Sequence, residues 1–311
     1  MKAVERVLIA GAGAVGLTVA DTLYRYDPRC VAILAPGERG ERYRRDGLRV
    51  NGVKVDFTLA EEAGPAFDLI VIACKNHHLD QVIADLKPFA GPETLFLSLL
   101  NGITSEEIIG RAYGEERLPL AMILATDAQR GGGETVFTQR GIVHFGDARG
   151  RETGRDRRIA EFFTRTGLPF EYHPRDMRRT LWFKFMVNTG VNQVSALLRL
   201  PYGAFKRDQP QAIPEAQELL ESAMREVILI SRAEGINLGE EDLEKWYSTV
   251  ALLSDGGYTS MCQDVLAGRK TEVELFSLTV MEYGEKHRIS TPVNGFLYRA
   301  LRAIEKSGGV F

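Results

Sequence analysis

Val4–Ala10 reads V-E-R-V-L-I-A and runs into G-A-G-A-V-G at Gly11–Gly16, after which Leu17–Tyr26 carries apolar residues at helical spacing. Asp27-Pro28 breaks that helix, and Cys30–Ala35 (C-V-A-I-L-A) forms a second β-branched run. Short aliphatic runs bounded by turn residues suit strands buried on both faces of a parallel sheet, so the segment reads as one β-α-β unit. Its glycines then have distinct tasks. Gly11 permits the tight turn after the strand, Gly13 lets backbone approach a pyrophosphate, and Gly16 lets the helix pack close to the sheet. The start of the helix offers N–H groups and the positive end of its dipole to phosphate. A glycine triplet alone is weak evidence; strand, motif and helix in this order make Gly11, Ala12, Gly13, Ala14, Val15 and Gly16 a dinucleotide-binding loop.

The continuation supports a doubly wound α/β fold. Leu48–Asn51, Val53–Leu59, Leu69–Cys74 and Thr94–Leu99 read as further strands. Asp68–Cys74 ends in Lys75-Asn76 and Leu95–Leu100 ends in Asn101-Gly102, which puts a cation and an amide at the edge where such sheets bind ligands. Phe137–Phe145 reads as a strand pair, Arg149–Arg158 as an exposed loop, and Asp156–Thr166 as a helix. The end of the second strand, Ala35-Pro36-Gly37-Glu38-Arg39, leaves the choice between NAD and NADP open: Glu38 suits a free ribose, Arg39 and Arg42 suit a 2′-phosphate, and all three suit a solvated loop.

Beyond Pro174 the β-branched runs stop. Arg175–Leu198, Pro214–Glu234, Glu240–Leu253, Tyr258–Leu266, Thr271–His287 and Pro292–Lys306 all read as helices, which divides the chain into a Rossmann-type domain over 1–173 and an all-helical domain over 174–311. In the first of these helices Lys184, Asn188 and Asn192 fall at i, i+4 and i+8 within an otherwise apolar stretch. Such a break in pattern marks a functional face; the alternative is a snorkelling lysine with two asparagines bonded inside a bundle. Glu272 has a complete structural reading as a first-turn carboxylate.

With 311 residues, 44% hydrophobic and 26% charged, the composition is that of a globular protein of two domains. A formal charge of −3 and a pI near 6.1 argue against nucleic acid as partner. No run is long and apolar enough for a membrane helix, and no signal peptide is evident. The three cysteines fit a reducing, cytoplasmic setting. His77, His78, His144 and His173 lack metal-ligand spacing with nearby carboxylates or thiols, so all four read as surface or structural residues and no metal is expected.

Taken together, Gly11/Gly13/Gly16, Lys75, Asn101-Gly102, Lys184/Asn188/Asn192, Ser260-Met261-Cys262-Gln263-Asp264 and Thr271-Glu272 resemble the ketopantoate reductase (2-dehydropantoate 2-reductase) family from end to end. The resemblance implies NADPH-dependent reduction of 2-dehydropantoate to pantoate, a step toward pantothenate and coenzyme A. It implies Lys184 as general acid and Asn101, Asn188, Asn192 and Ser260 as substrate contacts. It places Lys75, Asn101 and Glu272 at the cofactor, with Glu272 also near the lysine and the site between the two domains. Two positions depart from the family pattern: Pro36 stands where many relatives carry Arg, and Tyr202 where some carry Asn. A reductase of a different 2-oxo acid, or a non-catalytic nucleotide-binding protein, is the alternative reading; a homodimer is left open.

Overall fold

Both faces of the amino-terminal sheet are buried, and its unbroken aliphatic strands show why. The computed structural model describes residues 3–307 and falls into two compact units, one ending at Arg178 and one starting at Arg179. The first unit holds β1 (Val7–Ala10), β2 (Val31–Leu34), β3 (Leu48–Val50), β4 (Val53–Val55), β5 (Thr58–Ala60), β6 (Phe67–Ile72), β7 (Ala90–Ser98), β8 (Leu120–Thr126), β9 (Gln129–Gly131), β10 (Glu134–Val136), β11 (Arg140–Gly146) and β12 (Phe170–Tyr172). Its helices are α1 (Ala14–Tyr26), α2 (Glu38–Asp46), α3 (Leu79–Leu86), α4 (Ser105–Tyr113) and α5 (Gly154–Thr166).

The main sheet has the order β5-β2-β1-β6-β7, parallel throughout. Val7, Ile9, Ile33, Leu69, Val71 and Leu97 point to one side, against Leu17, Leu23, Ile159 and Phe163 of α1 and α5. Leu8, Leu34, Ile70, Ile72 and Phe96 point to the other, against Leu79, Val82, Leu86 and Ile109 of α3 and α4. Each such side chain contributes about 1.5–3 kcal/mol by leaving water. Strand order reverses between β1 and β6, the topological switch point at which doubly wound sheets bind their ligands.

Two smaller sheets complete the unit, β4-β3-β10-β9 and β12-β11-β8. They correct the sequence reading in three places. The run expected as one strand over Val53–Leu59 divides into β4 and β5, which belong to different sheets. The expected strand pair in Phe137–Phe145 is one strand, β11, whose antiparallel partner is β8, with Val143 opposite Ile123. The charged stretch after β2 is a helix, α2, not a loop.

The second unit is all-helical: α6 (Met177–Val187, whose first two residues precede the unit boundary), α7 (Gln193–Leu198), α8 (Pro214–Ala233), α9 (Glu240–Val250), α10 (Ser260–Leu266), α11 (Thr279–His287) and α12 (Pro292–Lys306). Two π turns interrupt it, Asn188–Asn192 joining α6 to α7, and Glu274–Leu278 leading into α11. Phe185, Val191, Val194, Leu220, Met224, Val227, Trp246, Phe276 and Leu297 are among its buried side chains. Arg179 clamps Asp242 through two 2.9 Å bonds, fixing α6 to α9. No helix among the described residues is long and apolar enough to cross a membrane.

Candidate active site

The glycine loop leaves β1 at the switch point and ends in α1. Gly11 has φ +126°, and a Cβ there would lie 2.6 Å from the Ala73 carbonyl oxygen, so only glycine fits between this loop and the chain leaving β6. A Cβ on Gly16 would come within 1.8 Å of the Gly11 carbonyl oxygen, which is the close packing of helix and loop that the motif requires. At Gly13 the nearest atom to such a Cβ is 3.9 Å away, leaving space beside the backbone. Gly13 also caps α1, the first turn holds no acidic side chain, and its leading N–H groups precede the first intrahelical bond, Leu17 N–H to Gly13 C=O at 3.1 Å. Open backbone, helix dipole and absence of competing carboxylate together fit a pyrophosphate. Ala12 is buried, whereas Ala14 and Val15 are half-buried.

Lys75 and Asn101 stand on the same edge. The ladder continues past the strand ends, with Ala73 N–H donating to Ala10 C=O and Leu99 N–H to Ile72 C=O. The segments after β1, β6 and β7 therefore leave the sheet side by side, carrying the glycine loop, Lys75 and Asn101 in that order. Lys75 and Asn101 are half-buried. Beside Lys75, the side-chain oxygen of Asn76 is buried without a hydrogen-bond partner, an unmet acceptor at the ligand edge.

Past the end of β2, Arg39 of α2 faces Asp85 of α3 at 3.8 Å. Arg42 is exposed and lies over the Tyr43 ring. The structure adds Arg130 of β9, which donates to Thr135 Oγ1 at 3.0 Å. Burial holds the Arg130 guanidinium below its usual value; the neighbouring Tyr43 works against this and the Arg42 charge adds to it. Sequence reading had no route to Arg130, which lies far from α2 along the chain.

In the helical unit, Lys184 lies near the end of α6, half-buried, with Asn188 and Asn192 at either end of the first π turn. In an unbroken α-helix every fourth residue overshoots a full turn by about 40°, so the last of three residues at i, i+4 and i+8 drifts well off the face of the first. The wider i→i+5 turn takes that drift back between Asn188 and Asn192. The π turn therefore aligns the stripe better than the sequence spacing promised. Asn192 is 6% exposed. Within the same turn the Thr189 hydroxyl is fully buried with no hydrogen-bond partner, a polar group that periodicity could not single out.

The turn packs against α8, α10 and the second π turn. Ser260 is the first residue of α10, exposed, behind the Thr259 cap that accepts from Cys262 N–H. Tyr202 N–H donates to Gly257 C=O at 2.8 Å, and burial together with the Cys262 thiol raises the Tyr202 hydroxyl. Glu272, 8% exposed, sits just ahead of the second π turn, its carbonyl accepting from Leu275 and Phe276. Asn188, Asn192, Ser260 and Glu272 are thus carried by elements packed around one π turn. Cys30 is pushed up to about 11 by burial and Cys262 is raised for the same reason, so neither is a ready nucleophile.

Comparison with known proteins decides the family. Residues 7–150 match the family model of ketopantoate reductase PanE/ApbA, and residues 176–305 match the model of its C-terminal domain. The chain belongs to the ketopantoate reductase family. Members of this family are NAD(P)-dependent oxidoreductases, and this protein is one. It is 28% identical over 311 residues to the 2-dehydropantoate 2-reductase of Pyrococcus horikoshii, covering 98% of this chain and 99% of that one. A crystal structure of a PanE/ApbA family ketopantoate reductase from Ralstonia eutropha superposes with a TM-score of 0.82 at 24% identity, covering 97% and 99% of the two chains. A D-mandelate dehydrogenase solved with NADH and anilino(oxo)acetate gives 0.85 at 22% identity, covering 98% and 100%. At such identities the two structures speak for the fold alone.

Proposed function

We propose that this ketopantoate reductase family member reduces 2-dehydropantoate to pantoate with NADPH, and that Lys184 supplies the proton. The observation that carries the reading is a half-buried cation on the same helical face as two amides, in a family of NAD(P)-dependent oxidoreductases. A reduced nicotinamide cofactor, held by Gly11–Gly16 and Lys75, would supply the hydride for the ketone carbon. The carbon–oxygen π pair moves onto oxygen, and the Lys184 ammonium donates a proton there, so that a 2-oxo acid becomes a 2-hydroxy acid. Solvent reprotonates the amine. Asn188, Asn192, Ser260 and Asn101 hold the carboxylate and remote hydroxyl of the substrate by neutral donors, adding no second charge to compete with Lys184. Gly11–Gly16 and Lys75 hold the phosphates, and Glu272 orients the lysine.

The test is steady-state oxidation of NADPH and of NADH by purified protein with a panel of 2-oxo acids. 2-Dehydropantoate is expected to give the highest kcat/KM. The competing reading is an aromatic 2-oxo acid such as benzoylformate, the kind of compound that the name of the D-mandelate dehydrogenase neighbour points to for that protein. A tenfold preference for that compound would transfer the assignment to it. Cofactor binding with no stimulation by any 2-oxo acid would remove the catalytic reading.

Preference for NADPH is assigned to Arg42 and Arg130. A 2′-phosphate between two guanidinium groups relieves their mutual repulsion and gains charge-assisted hydrogen bonds, each worth about 1.5–3 kcal/mol. Arg130→Ala is expected to weaken NADPH about tenfold or more while leaving NADH within about twofold, read as dissociation constants by fluorescence titration. Equal losses for both cofactors would take the 2′-phosphate away from this pair.

A further inference from the structure

Sequence spacing shows no partner for the histidines, yet strand pairing assembles one cluster. β11 and β12 run parallel with His144 beside Glu171, and His173 N–H extends the ladder by donating to Phe145 C=O at 2.8 Å. Phe145, Phe170 and Tyr172 pack together on one face of this ribbon. By the two-residue alternation of strands, His144, Glu171 and His173 share the other. A Cβ at Gly146 would lie 2.0 Å from the His173 carbonyl oxygen, so glycine at that position is what lets the chain carrying His173 lie against β11.

His144 Nδ1 is 2.8 Å from His173 Nε2, while Glu171 Oε2 lies 3.5 Å from the first nitrogen and 3.6 Å from the second. Tetrahedral coordination with Zn–N and Zn–O bonds of about 2.0–2.2 Å spaces its ligand atoms about 3.3 Å apart. All three separations are within roughly half an ångström of that value. We propose that His144, Glu171 and His173 bind one divalent metal ion of the zinc type, with a fourth, solvent-facing position open.

Three further observations point the same way. The other ring nitrogen of His173, Nδ1, lies 3.6 Å from the exposed Asp176 Oδ1, near enough for a small side-chain rotation to bring the carboxylate onto it, as carboxylates orient metal-bound imidazoles. Two carboxylates, Glu171 and Asp176, balance the charge of a +2 ion. Side-chain exposure rises from 10% at His144 through 21% at His173 to 55% at Glu171, giving the ion a way in from solvent. Two nitrogen donors out of three select zinc, nickel or copper over magnesium and calcium. The ion would tie the edge strand β12 to β11.

The test uses the full-length protein, stripped with chelator, dialysed and titrated with ZnCl2 by calorimetry. One ion per chain is expected, with a rise in the thermal unfolding midpoint that grows with free zinc and a binding heat that varies with the ionisation enthalpy of the buffer, the mark of proton release. Co2+ in place of zinc should give the intense visible bands of a tetrahedral site. Glu171→Gln and His173→Gln, both at partly exposed positions, are expected to weaken zinc about tenfold or more each, with the metal-free unfolding midpoint little changed. Absence of stoichiometric binding, or wild-type affinity in both variants, would overturn the proposal.

Discussion

Lys184→Ala is expected to lower kcat by roughly 10²–10⁴-fold, the usual worth of a positioned general acid, while the dissociation constant of NADPH stays within about twofold. The motive is the half-buried ammonium group on the aligned face of the α6–π turn run, the group to which the reaction assigns proton donation. On the energy scale the loss amounts to about 2.7–5.5 kcal/mol of transition-state stabilisation. Lys184→Arg separates two contributions. Its guanidinium keeps the positive charge near the developing alkoxide but stays protonated at working pH and makes a poor proton donor. A variant that recovers part of the lost turnover would assign that part to electrostatics and the remainder to proton transfer. Far-ultraviolet circular dichroism checks that either variant is folded. Near-wild-type turnover in Lys184→Ala would take the lysine out of the chemistry and leave the amides without the charge they are meant to flank.

What the sequence disclosed, and what it hid, follow from how local each signal is. The glycine loop is a local device in which strand, turn and helix are contiguous, so β1, the loop and α1 could be read directly, as could the two-sided burial of β2, β6 and β7. Helix α2 could not. Its sequence E-R-G-E-R-Y-R-R-D has no apolar face, and only Gly40 is buried, so nothing in its pattern distinguishes a helix from a charged loop. The short strands β9, β10 and β12 have three residues each, too few to show alternation. The helical unit was legible as helices, but the π turns were not, because counting i, i+4 and i+8 presumes a regular α-helix. The juxtaposition of His144 with Glu171 and His173 arises from the pairing of β11 with β12, and that of Arg130 with Arg42 from the approach of β9 to helix α2, between segments that carry no mark of one another.

Glu226 is another residue whose task only the fold discloses, and its removal is expected to produce the largest loss of stability. On α8 it reads as one more helix-surface carboxylate, yet it is 7% exposed. Its two oxygens accept from Val293 N–H at 2.8 Å, Asn294 N–H at 3.0 Å and Asn294 Nδ2 at 2.7 Å. Those donors belong to the first turn of α12, where the N-cap residue Thr291 makes no side-chain cap bond. The carboxylate from a neighbouring helix therefore acts as the cap and faces the positive end of the α12 dipole. Fully buried Asn294 extends the network, since its Oδ1 accepts from Gln193 Nε2 at 3.2 Å, and Gln193 also accepts from Ser277 at 2.5 Å. Gln193 follows the first π turn and Ser277 lies within the second, so this chain of bonds cross-links the two irregular segments next to Asn192 and Glu272. Glu226→Ala strands buried donors at about 1–3 kcal/mol apiece; allowing for non-additivity, a loss of about 3 kcal/mol is expected, which lowers the unfolding midpoint by about 5 °C. Glu226→Gln keeps an acceptor oxygen of the same shape without the charge and should fall between wild type and Ala. At temperatures where Glu226→Ala remains folded, kcat should fall a few-fold as the π turns loosen, with NADPH affinity unchanged, because no glycine-loop contact is touched. A midpoint within about 2 °C of wild type would mean that α12 is held by its apolar face alone and that the buried carboxylate is not its anchor.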